Sequence, residues 1–406
     1  MTRLRHAAAF ALAAFATTAA AAAHAEPPPY RTQGQCDGLP AITSLKVAAG
    51  FCLAVAATDL GRPRGVLALD AQRLLVTDMG NWNSGRGRLL QLTREPGQPF
   101  RVTVLLNGLD RPHGLRLDAQ GRVLLAEAHR ISRVELPAGQ PARLQPFVTG
   151  LPTQGRHPLK SFVVDASGAL LVNLGAPSDH CEAMDGVPAG TPQGCTQTGG
   201  PQSQAAVWKF TPGADPAQPW VGKPLAWGLR NSMGLALHPA SGALWQAENS
   251  RDSLPGETYD KASPPDELNL VEPGRHYGWP HCSGRDVLDT AYGERSCDAF
   301  TPPVKLIPAH AAPLGMLFYG DAAPAAWRGA LVMAWHGYQP SGHRLMAWRF
   351  DARHQPVGNA LPLIDGWRAQ AGKHPMGAPV DLAQDARGRL WITEDRNGSL
   401  LVLVPR

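Results

Sequence analysis

The residues of this chain that could do chemistry gather where the chain turns. The stretch DELNLVEPGRHYGWP, residues 266–280, brings Asp266 and Glu267 near Arg275, His276, Tyr277 and Trp279, between turn-forming Gly and Pro residues. Such a mixture reads either as core or as the wall of a site. His157 in RHPLKSFVVD and Arg230 with Asn231 in GLRN stand just ahead of apolar runs. Taken alone, His157 is a strand-capping loop histidine or a base, and Arg230 is a salt-bridge residue or an anion contact. Glu127, Asn173, Glu248 and Glu394 each follow an apolar run and are candidate metal ligands.

The elements that must position these groups repeat. An apolar strand, a turn with Asp or Gly and a second apolar strand ending in a polar residue recur as GVLALDAQRLLVTDMG from Gly65, HGLRLDAQGRVLLAEAH from His113 and SFVVDASGALLVNLG from Ser161. MGLALHPASGALWQAEN from Met233, a weaker copy from Leu314 and VDLAQDARGRLWITEDRNG from Val380 complete the set. Each copy reads as a hairpin, and most are followed by a further strand such as RLLQL or SLLVLV. With 43 glycines and 38 prolines in 406 residues, short strands and turns are favoured over helices. Six copies predict an all-β, six-bladed β-propeller, because one blade alone cannot bury both its faces. Blade loops converge on the channel, so the site belongs among the insertions at 177–204 and 250–269 and the loop of the opening stretch. In this scheme DELNLV closes the fourth blade with Leu268 and Leu270 pointing inward, while Gly274 and Gly278 permit the tight turn that presents Tyr277 and Trp279.

The chain opens MTRLRHAAAFALAAFATTAAAAAHA, with Arg3 and Arg5 ahead of an Ala-rich run and an Ala23-His24-Ala25 ending, the pattern of a secretory leader. The run is too short and weakly apolar for a lasting membrane anchor, which takes about 20 apolar residues. The expected plan is a signal peptide over residues 1–25 and one propeller over 26–406, in the periplasm or outside the cell. Six cysteines fall as near neighbours: Cys36 and Cys52, Cys181 and Cys195, Cys282 and Cys297. In an exported chain, local disulfide pairing is the simplest arrangement, and no CxxC supports a redox or zinc site. The formal charge of +5 is scattered and leaves no footprint for nucleic acid.

GLRNSMGLALHPASGALWQAENSRD (residues 228–252), followed by PPDELNLVEPGRHYGWPHC (264–282), resembles the soluble quinoprotein sugar dehydrogenases, most closely their sorbosone-dehydrogenase-like branch. HPLKSFVVDASGALLVNLG (157–175), PAHAAPLGMLFY (308–319) and WHGYQPSGHRLMAWRF from Trp335 extend the likeness in order from about Leu45 to the C-terminus. The resemblance implies a six-bladed propeller with pyrroloquinoline quinone (PQQ) and Ca2+ in its channel. It implies oxidation of a sugar or sugar aldehyde (an aldose, sorbosone or pyranose), with electrons passing to an external acceptor. On the matching positions it makes His157 the base and Arg230 a catalytic and cofactor contact, with Asn231 beside it. Backbone carbonyls of Ser250 and Arg251, next to Asn249, would ligate calcium. Lys160, His310, His336, Arg344, Arg368 and Lys373 are further cofactor candidates by their loop positions. A neutral histidine suits removal of a hydroxyl proton as hydride leaves the same carbon, and a forked arginine suits the carboxylates of the quinone.

Two departures stand out. The run before the last repeat is GAPV with Ala378, where the resemblance leads one to expect GRPV, which leaves Arg368 or Lys373 to substitute. WHGYQPSGHR replaces a Ser-Trp-Asn-Arg run, which leaves the sugar open. Two other readings compete. One is a calcium-dependent lactonase-like hydrolase using Glu127, Asn173, Glu248 and Glu394; the other is a non-catalytic binding propeller, for which Ala378 is the argument.

Overall fold

In four of the six repeats the turn is held by an aspartate, and in the copy from Met233 by His238. Asp118 Oδ1 accepts hydrogen bonds from the Gln120 and Arg122 N–H groups (3.0 and 2.9 Å), and Gly121 takes a left-handed φ of 73° that lets the chain reverse. Asp165 with Gly168 and Asp385 with Gly388 repeat the device. In this computed structural model, residues 29–406 are described apart from 138, 185–187, 192–193, 214–219, 259–261, 293–295 and 368–376.

The strands so joined form six antiparallel blades around one axis, besides a two-stranded hairpin at Cys282–Ser283 and Val287–Leu288. Blade 1 is Pro63–Ala68, Arg73–Asp78, Gly87–Thr93 and Arg101–Leu109, counted outward from the axis; blade 2 is Leu115–Leu117, Val123–Ala126, Arg130–Glu135 and Arg143–Thr149. Blade 3 is Phe162–Val164, Leu170–Leu174, Ala206–Thr211 and Val221–Trp227; blade 4 is Gly234–Leu237, Leu244–Glu248, Asp266–Val271 and Lys305–Ile307. Blade 5 is Pro313–Phe318, Leu331–Trp335, Arg344–Phe350 and Pro356–Asp365. Blade 6 has Pro379–Gln384, Leu390–Glu394 and Ser399–Pro405, and takes its fourth strand, Phe51–Ala57, from the other end of the chain, pairing Leu403 with Leu53. That pairing closes the ring and covers an edge that would otherwise be open.

Burial follows position in the blade. The second strands Leu170–Leu174, Leu244–Glu248, Leu331–Trp335 and Leu390–Glu394 are buried at every residue, since each lies between two neighbouring blades, whereas the outer Arg101–Leu109 is mostly exposed. Trp245, Met316, Met333, Trp335 and Trp348 fill the wedge between blades 4 and 5, and Phe51, Tyr319 and Leu363 that between blades 5 and 6. Each such side chain contributes roughly 1.5–3 kcal/mol by leaving water. The innermost strands approach one another so closely that a Cβ on Gly65 would lie 2.0 Å from the His113 carbonyl oxygen. The all-β propeller with six blades is therefore as the repeats predict, and the cysteines pair locally as Cys36–Cys52, Cys181–Cys195 and Cys282–Cys297.

One expectation is corrected. DELNLV does not close blade 4; it is the third strand, pairing Glu267 with Glu248 on one side and Leu268 with Lys305 on the other. The closing strand returns only after an excursion pinned by Cys282–Cys297, a connection too long to read from local pattern. Leu268 is buried as expected and Leu270 half-buried.

Candidate active site

Acids and an amide near the ends of the second strands tie down the segments that lead into the innermost strands. Asp78 Oδ1 accepts from the Arg62 N–H (2.8 Å), Glu127 Oε1 from Asp110 N–H (2.9 Å), and Asn173 Oδ1 from Ser161 N–H (2.5 Å). Glu248 Oε1 accepts from Arg230 N–H (2.5 Å) and Glu394 Oε1 from Ala378 N–H (2.8 Å). Burial raises the pKa of Glu248, and it pushes Glu394 up to about 7. Glu127, Asn173, Glu248 and Glu394 thus hold backbone, and none lines the cavity described next.

On the axis lies a cavity of about 240 Å3 to which five blades contribute. Arg62 and Arg64 lead into blade 1, Arg156, His157 and Pro158 into blade 3, and Asn231 into blade 4; His336, Tyr338 and Asp395 follow the second strands of blades 5 and 6. Met79, Leu159, Met233 and Leu314 form its apolar floor and cluster with buried Val380. Trp82 and Tyr338 stand half-exposed at the wall.

His157 is held as a neutral imidazole. Its Nδ1–H donates to the Ala176 carbonyl (2.6 Å), so Nε2 carries the lone pair. Burial, with the Arg230 charge next, holds its pKa well below the usual histidine value. The ring fits only because Gly175 has no side chain: a Cβ there would lie 2.5 Å from His157 Cβ. Beside it Asn231 lines the cavity, and its Oδ1 is buried without a hydrogen-bond partner among the described residues.

The other cations expected at the site are placed differently. Arg230 does not line the cavity; it is 4% exposed, behind the wall. Its Nε donates to Asp179 O (3.1 Å), Nη1 to Asn249 O and Ser250 O (3.0 and 2.8 Å), and Nη2 to Asp179 Oδ1 (2.5 Å) and Asp252 Oδ1 (3.3 Å). The fork expected to grip a cofactor therefore grips a loop, because carboxylates and carbonyls from two insertions reach it first. Lys160 is a strut as well: buried, it donates to Pro152 O and Pro158 O (2.8 and 2.6 Å) and steadies the loop carrying His157, while burial and Arg111 push its pKa down to about 7. Arg344 donates to Gly342 O and Pro340 O and braces the loop that presents Tyr338. His310 is buried with a φ of 60° and lies off the cavity wall. His336 does line the cavity, with Nε2 3.0 Å from Asp395 Oδ1. Arg368 and Lys373 lie outside the described residues.

The opening stretch supports the wall from behind. Tyr277 donates to Leu270 O (2.6 Å) and accepts from Glu272 N–H, and Trp279 Nε1 donates to Asp179 O (2.9 Å), the residue that holds Arg230. Asp266 accepts from Ser250 and Ala312 N–H (2.8 and 2.7 Å).

Sequence reasoning missed Arg62, Arg64, Trp82, Arg156, Tyr338 and Asp395. For Arg64 a signal existed. Pairing of Val66 with Val76, Leu115 with Leu125, Phe162 with Val172, Leu235 with Gln246, Met316 with Met333 and Leu382 with Ile392 sets the repeats in one register. Two residues earlier that register reads Arg64, His113, Lys160, Met233, Leu314 and Val380. Two charges, Arg64 and Lys160, stand in a column that is half apolar, and only the structure shows that Lys160 is a strut while Arg64 reaches the cavity wall.

The donor set fits an anionic planar cofactor. Arg62, Arg64 and Arg156 bring positive charge, and Arg64 Nε and Asn231 Oδ1 are buried polar atoms without partners among the described residues. Of the carbonyls expected around calcium, those of Asn249 and Ser250 each accept one hydrogen bond from Arg230 Nη1 (3.0 and 2.8 Å), and the Arg251 side chain pairs with Asp289, which leaves its carbonyl out of that contact. Among the described residues no group of three or more His, Cys, Asp or Glu could hold a metal.

A six-bladed propeller with a neutral histidine facing a cation-lined axial cavity defines a class of channel-site proteins. Within it, the chain belongs to the TrAA12-like family, which residues 45–287 match. A PQQ-dependent sugar dehydrogenase of Hypocrea jecorina is 24% identical over 396 residues, covering 85% of this chain and 86% of that one. An uncharacterised protein of Borreliella burgdorferi is 30% identical over 179 residues, 42% of this chain, and the match spans only 46% of that relative's length. The calcium structure of Trichoderma reesei carbohydrate-active enzymes family AA12 has the same fold, with a TM-score of 0.71 at 20% identity over 89% of this chain and 97% of that one. The family matched is TrAA12-like; the finer likeness to the sorbosone branch is not what these matches identify.

Proposed function

We propose that this protein is a PQQ-dependent sugar dehydrogenase, exported and working outside the cytoplasm. The observation that carries the reading is His157: a neutral imidazole, its Nδ1–H fixed on Ala176 and Nε2 left to accept a proton, in a cation-lined cavity above an apolar floor. The 24% identity to a PQQ-dependent sugar dehydrogenase over most of both chains supports it.

PQQ, when bound, supplies the two-electron acceptor that oxidation of a hydroxyl requires. Arg62, Arg64 and Arg156 would hold its carboxylates, and Asn231 its polar edge. The chain does the rest. His157 Nε2 takes the hydroxyl proton, Gly175 and the Lys160 strut keep the imidazole in line, and the floor excludes water. Half-exposed Trp82 and Tyr338 present aromatic faces on which a sugar ring can lie. The backbone carbonyls of Ser250 and Arg251 would hold calcium, and no step is assigned to it. The leader-like N-terminus and three formed disulfides favour export.

The test is dye reduction by purified protein given PQQ, with and without calcium, across aldoses, sorbosone and pyranoses. Sugar-dependent bleaching of the dye is expected. No turnover on any sugar, together with no PQQ binding by calorimetry, overturns the proposal.

A further inference from the structure

We propose that Arg64, aimed by Asp395, is the residue that binds a carboxylate of the ligand in the axial cavity, the carboxylate being that of the quinone. This rests on the PQQ reading above and names the cation that makes it work. Arg230 cannot serve as folded, since its Nε, Nη1 and Nη2 all donate to Asp179, Asn249, Ser250 and Asp252. Position 378, just ahead of blade 6, is Ala and fully buried.

Arg64 fills the gap from the neighbouring blade. It occupies the repeat position held by Met233, Leu314 and Val380 in blades 4, 5 and 6, all members of the apolar cluster that makes the floor. Placing a guanidinium there costs free energy that an apolar side chain would not, so its presence asks for a partner. The partner inside the fold is incomplete. Nη1 donates to Asp395 Oδ2 (2.5 Å), Nη2 lies only 3.5 Å from His113 Nε2, and Nε is buried without a hydrogen-bond partner among the described residues. Asp395 gives its other oxygen to His336 Nε2 (3.0 Å) and so aligns two donors from blades 1 and 5 on the cavity wall. His113 behind Arg64 is held neutral by burial and by the Arg64 charge, so it adds no competing cation. A guanidinium fork with unused N–H groups beside Arg62 is suited to a planar carboxylate.

An acidic sugar also carries a carboxylate, so the experiment has two arms. Wild type, Arg64→Gln and the double variant Arg64→Met with Asp395→Asn are titrated calorimetrically with PQQ alone and with glucuronate alone, and each is melted. Wild type is expected to bind PQQ, and both variants to bind it at least about tenfold more weakly, the loss of a charge-assisted pair. The double variant is expected to melt close to wild type, because Met repeats what blade 4 uses at this position; loss of binding with the fold intact separates a ligand role from a structural one. Binding of PQQ by a folded variant within about twofold of wild type overturns the inference. Glucuronate binding that disappears in Arg64→Gln while PQQ binding is unchanged reassigns the carboxylate to the substrate and overturns the quinone assignment. A folded wild type that binds no PQQ overturns the PQQ reading itself, an outcome distinct from variants that merely match wild type.

Discussion

Arg230 and Arg64 are both buried arginines leading into innermost strands, yet the fold uses them in opposite ways. Arg230 meets the carboxylates of Asp179 and Asp252 and three backbone carbonyls, so its charge is neutralised within the protein. Arg64 meets one carboxylate that it shares with His336, and part of its fork is left over. Burial alone would raise Asp395, but His336 and Arg64 overcome that and hold it well below the carboxylate range, so it stays ionised and keeps both donors aligned. A buried cation whose donors are all used is scaffold; one with donors to spare on a cavity wall is a binding group.

The largest test of this contrast lies between the two arginines. His157→Ala is expected to lower sugar-dependent turnover about 100- to 10,000-fold while circular dichroism is unchanged, and full activity would remove the histidine from the chemistry. Arg230→Met is expected to cost about 3–5 kcal/mol in chemical denaturation, because Asp179 is left buried and unpaired. If its cost is small and PQQ binding fails instead, the roles of the two arginines are exchanged. Gly175→Ala forces a Cβ to 2.5 Å from His157 Cβ, and a loss of roughly 1–3 kcal/mol with a fall in kcat larger than any rise in KM is expected from kinetics and melting.

The pH profile sharpens the comparison further. His157 must be neutral to act, and its pKa lies well below 6.5, so kcat/KM should fall only under distinctly acid conditions. Burial is the larger cause and Arg230 the next, so in Arg230→Met the acid limb should move up but stay below the ordinary histidine value. An unmoved limb would show that Arg230 does not tune the base. The smallest effect belongs to Arg275→Ala, whose exposed ion pair with Glu272 should change stability by less than about 0.5 kcal/mol in denaturant titration.

Much of the architecture was legible because it is local. The hairpin of most repeats needs only a neighbouring turn residue, as at Asp118 and Gly121, and the disulfides join cysteines 14 to 16 residues apart. His157 was singled out through resemblance, and it lines the axial cavity. Lys160, Arg344 and Arg230 were legible as cations near the site but not as struts, since nothing in a sequence window says which carbonyls will reach them first. DELNLV was read as a closing strand because Lys305–Ile307, its outer neighbour, lies beyond a long excursion.

What the chain's residue order settles by itself is the repeating hairpin, the number of blades and the local staples, all of which follow from contacts between near neighbours. Which cation faces the cavity was decided only in three dimensions. Arg230 is neutralised by an aspartate 51 residues away, and Arg64 is aligned by one 331 residues away, brought beside it when the first and last segments close the ring. Charge is written in the side chain, but whether that charge is spent or available depends on partners that only the closed propeller brings within hydrogen-bond reach.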